Sequence, residues 1–153
     1  MNIEEKLAQI GLALPQAPEP VASYLPAVRT GNLVFVSGQL PLHGDELMCT
    51  GNVPSNVSIE EAKGAARQCV LNGLAVLKVV LDGDLSKLVR VVRLGVFVQS
   101  DDHFSDQPKV ANGASDLLVE LLGSAGRHAR TAVGVFALPL DATVEIEFLF
   151  EVE

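Results

Sequence analysis

Arg130 and Glu145 are the side chains whose type and setting most plainly allow chemistry. Arg130 opens the strand-like run Arg130-Thr131-Ala132-Val133-Gly134, and Glu145 stands near the start of a second apolar run ending at Glu153. A guanidinium inside a mostly apolar sheet loses hydration and needs an anion beside it. An internal ion pair with Glu145 or Glu147 is the plainer account on spacing. A small carboxylate ligand held bidentately by Arg130, with Glu145 left to handle water or a proton, is the alternative. Tyr24, the only tyrosine, reads as an amphipathic cover residue, Ser37 as a strand-end polar and Asn112 as an exposed helix residue. His43, His103 and His128 lie far apart without metal-ligand spacing and read as ordinary surface or loop histidines. Cys49 and Cys69 make neither a disulfide framework nor a metal cluster, and Cys69 falls on the apolar face of a helix. No GxGxxG in strand–helix context, GxxxxGK[ST], HExxH or GxSxG run is present, so no cofactor or metal is expected.

The elements that must position these residues follow from periodicity. Ile3, Leu7 and Ile10 predict a short amphipathic helix that needs a docking surface, and Leu14 to Pro20, with three prolines, an extended connector. Two β-like segments flank Thr30-Gly31-Asn32, and Leu33 to Val36 suits a buried strand. Residues 42–57 read as loop with one short strand near Leu47–Cys49. Ser58-Ile59-Glu60-Glu61 is a capping box, followed by apolar residues every three or four positions until Asp82-Gly83. Val89 to Gln99 predicts a strand. A second helix starts near Ser105 or Asp106, with Pro108 in its first turn, and Gly123 as its stop. The end reads as a hairpin: Thr131 to Ala137 one arm, Leu138-Pro139-Leu140-Asp141 the turn, and Thr143 to Glu153 the other arm. The resulting order, ββαβαββ with helices on one face of a mixed sheet, is an α+β sandwich. Its other face lacks helix cover, and the apolar content suggests that a subunit partner covers it.

Composition narrows the function classes. With 153 residues, 48% of them hydrophobic, the chain can bury a substantial single core and is not disordered. Nineteen acidic against 11 basic residues give a net charge of −8. Such a surface repels phosphate backbones, and Lys87, Arg90, Arg93, Arg127 and Arg130 are dispersed rather than run together, so nucleic-acid binding is not expected. No apolar run reaches the roughly 18 residues that cross a bilayer, and the first residues carry neither the basic start nor the apolar stretch of a secretory signal. A cytoplasmic protein without membrane partners is the expectation.

Tyr24, then Ala27-Val28-Arg29-Thr30-Gly31-Asn32-Leu33-Val34-Phe35-Val36-Ser37-Gly38-Gln39-Leu40-Pro41, resembles the opening signature of the RidA/YjgF family. So does the ending, Ala129-Arg130-Thr131-Ala132-Val133-Gly134-Val135-Phe136-Ala137-Leu138-Pro139 and Val144-Glu145-Ile146-Glu147. The resemblance implies a chorismate-mutase-like fold over residues 21–153, preceded in residues 1–20 by the helix and proline-rich connector. It implies a homotrimer with small-molecule pockets between subunits. It also implies enamine/imine deaminase activity, the hydrolysis of 2-imino acids to 2-oxo acids and ammonia without a cofactor. By the same resemblance Arg130 clamps the substrate carboxylate, Glu145 holds the attacking water and exchanges protons, and Tyr24, Ser37 and Asn112 bind substrate. Where many deaminases have a cysteine two residues after the arginine, this chain has Ala132. Two rivals go with the family: a trimer that binds or senses a small carboxylate without turnover, and an endoribonuclease, which the acidic charge opposes.

Overall fold

A computed structural model of the chain describes residues 2–19 and 23–153; the boundary drawn at residues 20 and 21 lies outside them. Helix α1 (Ile3–Gln9) is short for an isolated helix, and two devices hold it. Asn2 and Glu5 form a reciprocal capping box, and Ile3 and Leu7 are buried in the main core. Strands β1 (Ala27–Thr30) and β2 (Leu33–Gln39) form the expected hairpin around Gly31, whose φ of 58° suits glycine. The next segment differs from expectation. A small hairpin of β3 (Leu42–His43) and β4 (Glu46–Leu47) turns at Gly44, so two short strands stand where one was expected, and only Leu47 of the Leu47–Cys49 stretch belongs to them.

Helix α2 (Ile59–Val80) begins where Ser58 Oγ accepts from the Glu61 amide at 3.1 Å. It ends before Asp82 and Gly83, both at positive φ. Strand β5 (Leu88–Gln99) leads into α3 (Gln107–Leu122), whose stop is Gly123 at φ 61°. Strands β6 (Ala129–Val135) and β7 (Val144–Val152) complete the chain. The two long helices approach closely where a Cβ on Gly113 would strike the Lys63 carbonyl oxygen and lie 2.8 Å from its Cα. Only glycine permits that contact.

The main sheet has the order β1-β2-β7-β5-β6, with β5 and β6 parallel and the other pairs antiparallel. The mixed α+β architecture stands, but the terminal hairpin does not. β6 and β7 are not neighbours, because β5 lies between them. The residues read as a tight turn instead carry the chain past the end of β5. Gln99 secures this crossing: its Oε1 accepts from the Leu138 amide at 2.7 Å and its Nε2 donates to Asp141 Oδ1 at 2.6 Å. β7 then takes the central slot, where both its edges are paired. Its even-numbered residues Val144 to Val152 are all buried, and with Val34, Val36, Leu94, Val96 and Val98 they pack against α2 and α3.

The opposite face carries no helix among the described residues. Phe35, Leu149, Val133, Arg93, Thr131 and the glutamates of β7 lie on it, with Phe35 48% exposed. This matches the uncovered face anticipated from the element order.

Candidate functional site

Arg130 is the second residue of β6, an edge strand of the sheet. Its register partner on β5 is the buried Leu94, so its side chain leaves the sheet on the helix-covered face. There α3 presents Asn112 and Ser115, three residues apart and therefore on one side of the helix. Arg130 Nη1 donates to Asn112 Oδ1 at 2.9 Å and to Ser115 Oγ at 3.1 Å. Both Nη1 hydrogens are thereby used. Among the described residues, Nε and Nη2 have no hydrogen-bond partner and no carboxylate pairs with the guanidinium. The internal ion pair with Glu145 or Glu147 is therefore not what holds Arg130. Its side-on Nε/Nη2 edge is the geometry that accepts a carboxylate bidentately.

His128, two residues before Arg130 on an extended chain, faces the same side. Its Nδ1 lies 2.6 Å from the Gly126 carbonyl oxygen and its Nε2 2.9 Å from Ser115 Oγ. It is half-buried, and burial, aided by the charge of Arg130, holds its pKa below the usual histidine range despite the Gly126 carbonyl. It is thus no ordinary loop histidine. From sequence, Ser115 goes unnamed and His128 reads as a surface or loop histidine; the i, i+3 spacing to Asn112 and the i, i+2 spacing to Arg130 put each beside a candidate residue, but nothing in the chain links the two to each other.

Glu145 sits on the other face. Its register partner is Phe97, and Val144 and Ile146 on either side of it are buried under the helices. Between Val36 and Gln39, β2 uses three residues where β7 uses two, from Phe148 to Ile146, which is a β-bulge. The bulge contains Ser37 and Gly38. A Cβ on Gly38 would occupy the place of Glu145 Oε1 and would lie 2.9 Å from its Cδ, so the carboxylate rests against bare backbone. Ser37 Oγ donates to the Leu25 carbonyl at 2.7 Å, fixing the segment that carries Tyr24. Tyr24, Pro26, Leu40, Leu42 and Leu140 join Glu145 around a cavity of about 450 Å³. Asn72 on α2 donates to the carbonyls of Leu40 and Leu42 at 3.0 Å each, which pins that wall. Leu140 stands at φ 59° on the crossing that Gln99 holds.

Electrostatics set Glu145 apart from its neighbours. Glu147 pairs with Arg93 at 3.2 Å, and Arg93 also reaches Thr131 Oγ1 at 3.2 Å. Glu145 has no cation partner among the described residues. Burial, and then the charge of Glu147, raise its pKa above the usual carboxylate value. Both causes favour the protonated form over what an exposed carboxyl would show.

The structure thus gathers the singled-out residues into two groups. Arg130 and Asn112 form one; Glu145, Tyr24 and the Ser37 bulge form the other. Along β5 the two groups are three residues apart, and across the sheet two strand spacings apart, which is roughly 14 Å in the sheet plane. They also project from opposite faces. No single chain brings Arg130 and Glu145 to one small molecule.

Comparisons with known proteins bear on the family and the fold. Protein TCP17 of Trypanosoma cruzi is 41% identical over 151 residues, which cover 98% of this chain and 94% of that protein. A 2-iminobutanoate/2-iminopropanoate deaminase of Dermatophagoides farinae is 31% identical, covering 93% of this chain and 95% of the relative. The crystal structure of protein Atu1372 from Agrobacterium tumefaciens, of unknown function, superposes with a TM-score of 0.94 at 45% identity, covering 99% of this chain and 92% of that one. The family model described as "YjgF/chorismate_mutase-like, putative endoribonuclease" matches residues 4–152, a span that holds both side-chain groups and the whole five-stranded sheet. From signature, topology and match together, the chain belongs to the YjgF/chorismate-mutase-like family.

Proposed function

We propose that this protein is a cofactor-free imine deaminase that hydrolyses 2-imino acids of the 2-aminoacrylate type to 2-oxo acids and ammonia. The observation that carries the reading is the pair of complementary half-sites. One is an arginine with its Nε/Nη2 edge free of protein partners among the described residues. The other is a half-buried carboxyl with raised pKa and no cation among them. Each supplies what the other lacks, and they lie on opposite faces of one chain. The reading therefore includes a homotrimer in which Arg130 and Asn112 of one subunit face Glu145, Tyr24 and the Ser37 bulge of the next. The sheet face without helix cover, on which Phe35, Val133 and Leu149 lie beside the Arg93–Glu147 pair, supplies the surface for such packing.

The chemistry asked of these residues is modest. Arg130 binds the substrate carboxylate and, with it, fixes the imine carbon. Glu145 accepts a proton from a water as the water oxygen bonds to the carbon of the protonated imine and the C=N π pair moves to nitrogen, giving a 2-amino-2-hydroxy acid. Glu145 then gives that proton to nitrogen and takes the hydroxyl proton as the C–N bond breaks, so that the 2-oxo group forms, and ammonia leaves with the bonding pair and picks up the proton from Glu145. Imino acids already hydrolyse in water, so positioning and charge neutralisation suffice as the catalytic contribution. Tyr24 and Leu140 wall the space for the substrate side chain.

The test is loss of freshly generated 2-iminopropanoate, followed by semicarbazone trapping. Wild type should accelerate it, and Arg130→Lys should lose most of that rate, because an ammonium cannot reproduce the planar fork. Full activity in Arg130→Lys would overturn the assignment. Ala132, in place of the common cysteine, favours a second reading, a carboxylate-binding trimer without turnover. Binding of 2-oxo acids with no acceleration of any imine would select it. The net charge of −8 and the absence of a basic run speak against an endoribonuclease. No helix among the described residues is long and apolar enough to cross a membrane, and the free Cys49 and Cys69 suit a reducing, cytoplasmic setting.

A further inference from the structure

We propose that Ser115 and His128 form a relay that positions the Arg130 guanidinium, with His128 acting as a neutral acceptor. The inference rests on the reading of Arg130 as a carboxylate clamp and extends it to two residues outside the family signature quoted above.

The hydrogen-bond directions follow from what each partner can do. The Gly126 carbonyl oxygen can only accept, so the His128 nitrogen 2.6 Å from it, Nδ1, carries a proton. Arg130 can only donate, so Ser115 Oγ accepts from it at 3.1 Å. That leaves the contact of 2.9 Å between Ser115 Oγ and His128 Nε2. If His128 is neutral, Nε2 is a bare acceptor and the serine hydroxyl must donate to it. The hydroxyl's hydrogen then points at His128 and its lone pairs point at Arg130. If His128 were protonated, its Nε2 would donate to Ser115 as Arg130 does, the serine hydrogen would lose the acceptor it has in His128, and two cations would share one serine. Burial and the Arg130 charge both hold His128 toward the neutral form.

The relay adds something that Asn112 alone does not. One acceptor on Nη1 leaves the guanidinium free to swing about that bond. Two acceptors, on α3 residues one turn apart, fix the plane and leave the Nε/Nη2 edge facing outward. His128 and Ser115 do not touch the reacting atoms; they are positioning residues. Because the clamp acts on substrate and transition state alike, loosening it should raise KM more than it lowers kcat.

The experiment measures pyruvate binding by titration calorimetry and imine hydrolysis on the intact assembled protein. Wild type, Ser115→Ala, His128→Ala, His128→Gln, the Ser115→Ala/His128→Ala double variant and Arg130→Lys are compared. Each alanine variant should weaken pyruvate binding about three- to tenfold, the range for losing one hydrogen bond. KM for the imine should rise by a similar factor, with a smaller change in kcat. The double variant should be no weaker than the worse single, because the two residues act in series. His128→Gln should recover most of the loss, since its Oε1 can accept from the serine near the Nε2 position. Alanine variants that fold and bind pyruvate like wild type, while Arg130→Lys does not, would overturn the relay alone. A double variant whose loss is the product of the singles would also overturn it. Unchanged binding in Arg130→Lys, or no measurable pyruvate affinity in wild type, would overturn the clamp and the relay with it.

Discussion

Oligomers assembled from two inactive variants should regain activity if Arg130 and Glu145 belong to one site supplied by two subunits. Arg130→Lys and Glu145→Gln are each expected to be slow alone. Within a chain the two residues are three β5 positions and two strand spacings apart, roughly 14 Å in the sheet plane, and on opposite faces. A small imino acid cannot touch both, so an intact site needs the arginine of one subunit and the glutamate of another. In a trimer formed at random from equal amounts, a site draws its arginine half from a Glu145→Gln subunit with even odds. It draws its glutamate half from an Arg130→Lys subunit with the same odds. About one site in four is then fully wild type over all trimers, and about one in three in the trimers that hold both variants, so the isolated mixed oligomers should regain roughly a third of the wild-type activity. The variants carry different tags and are co-expressed, the doubly tagged oligomers are isolated, and semicarbazone trapping reads the rate. Doubly tagged oligomers no faster than the variants alone would refute the shared site. Recovery in a protein that light scattering shows to be a monomer would refute it as well.

Glu145→Gln should still bind pyruvate through Arg130 but hydrolyse imines at least tenfold more slowly, since acid–base groups contribute about 10²–10⁴-fold; steady-state rates beside calorimetry check both halves. Gly113→Ala should destabilise the protein by about 1–3 kcal/mol in urea unfolding, because its Cβ would press on the Lys63 backbone where α2 and α3 meet. The lowered pKa of His128 means that, between that value and the ordinary histidine value of 6.5, the unfolded chain binds more protons than the folded one. Wild type should therefore lose stability as pH falls from above 6.5 through the depressed pKa, and His128→Gln should lack that part of the loss; parallel thermal melts across pH show it.

What the sequence determined by itself is the set of features written in neighbouring residues. The Ser58 cap, the glycine turn at Gly31, the alternation from Val144 to Val152 and the stop at Gly123 each rest on contacts a few positions apart. Their physics is the same in a peptide and in a folded chain. The residues of interest could also be named, because signature positions survive as letters whatever their distance. The order of strands was decided only in three dimensions. A period of two says which side chains share a face and is silent about which strand lies alongside. The tail therefore read as a hairpin, when β7 was to be inserted between β2 and β5. That insertion buries the even-numbered face of β7 under two helices and pairs both its edges, a gain available only once β5 and α3 are in place. It also sends Arg130 and Glu145 to opposite faces. Ser115, His128 and the Gly38 bulge acquire their roles from the same packing, since a hydrogen bond across 13 residues, or a carboxylate lodged against a backbone 107 positions earlier, leaves no periodic trace in the chain.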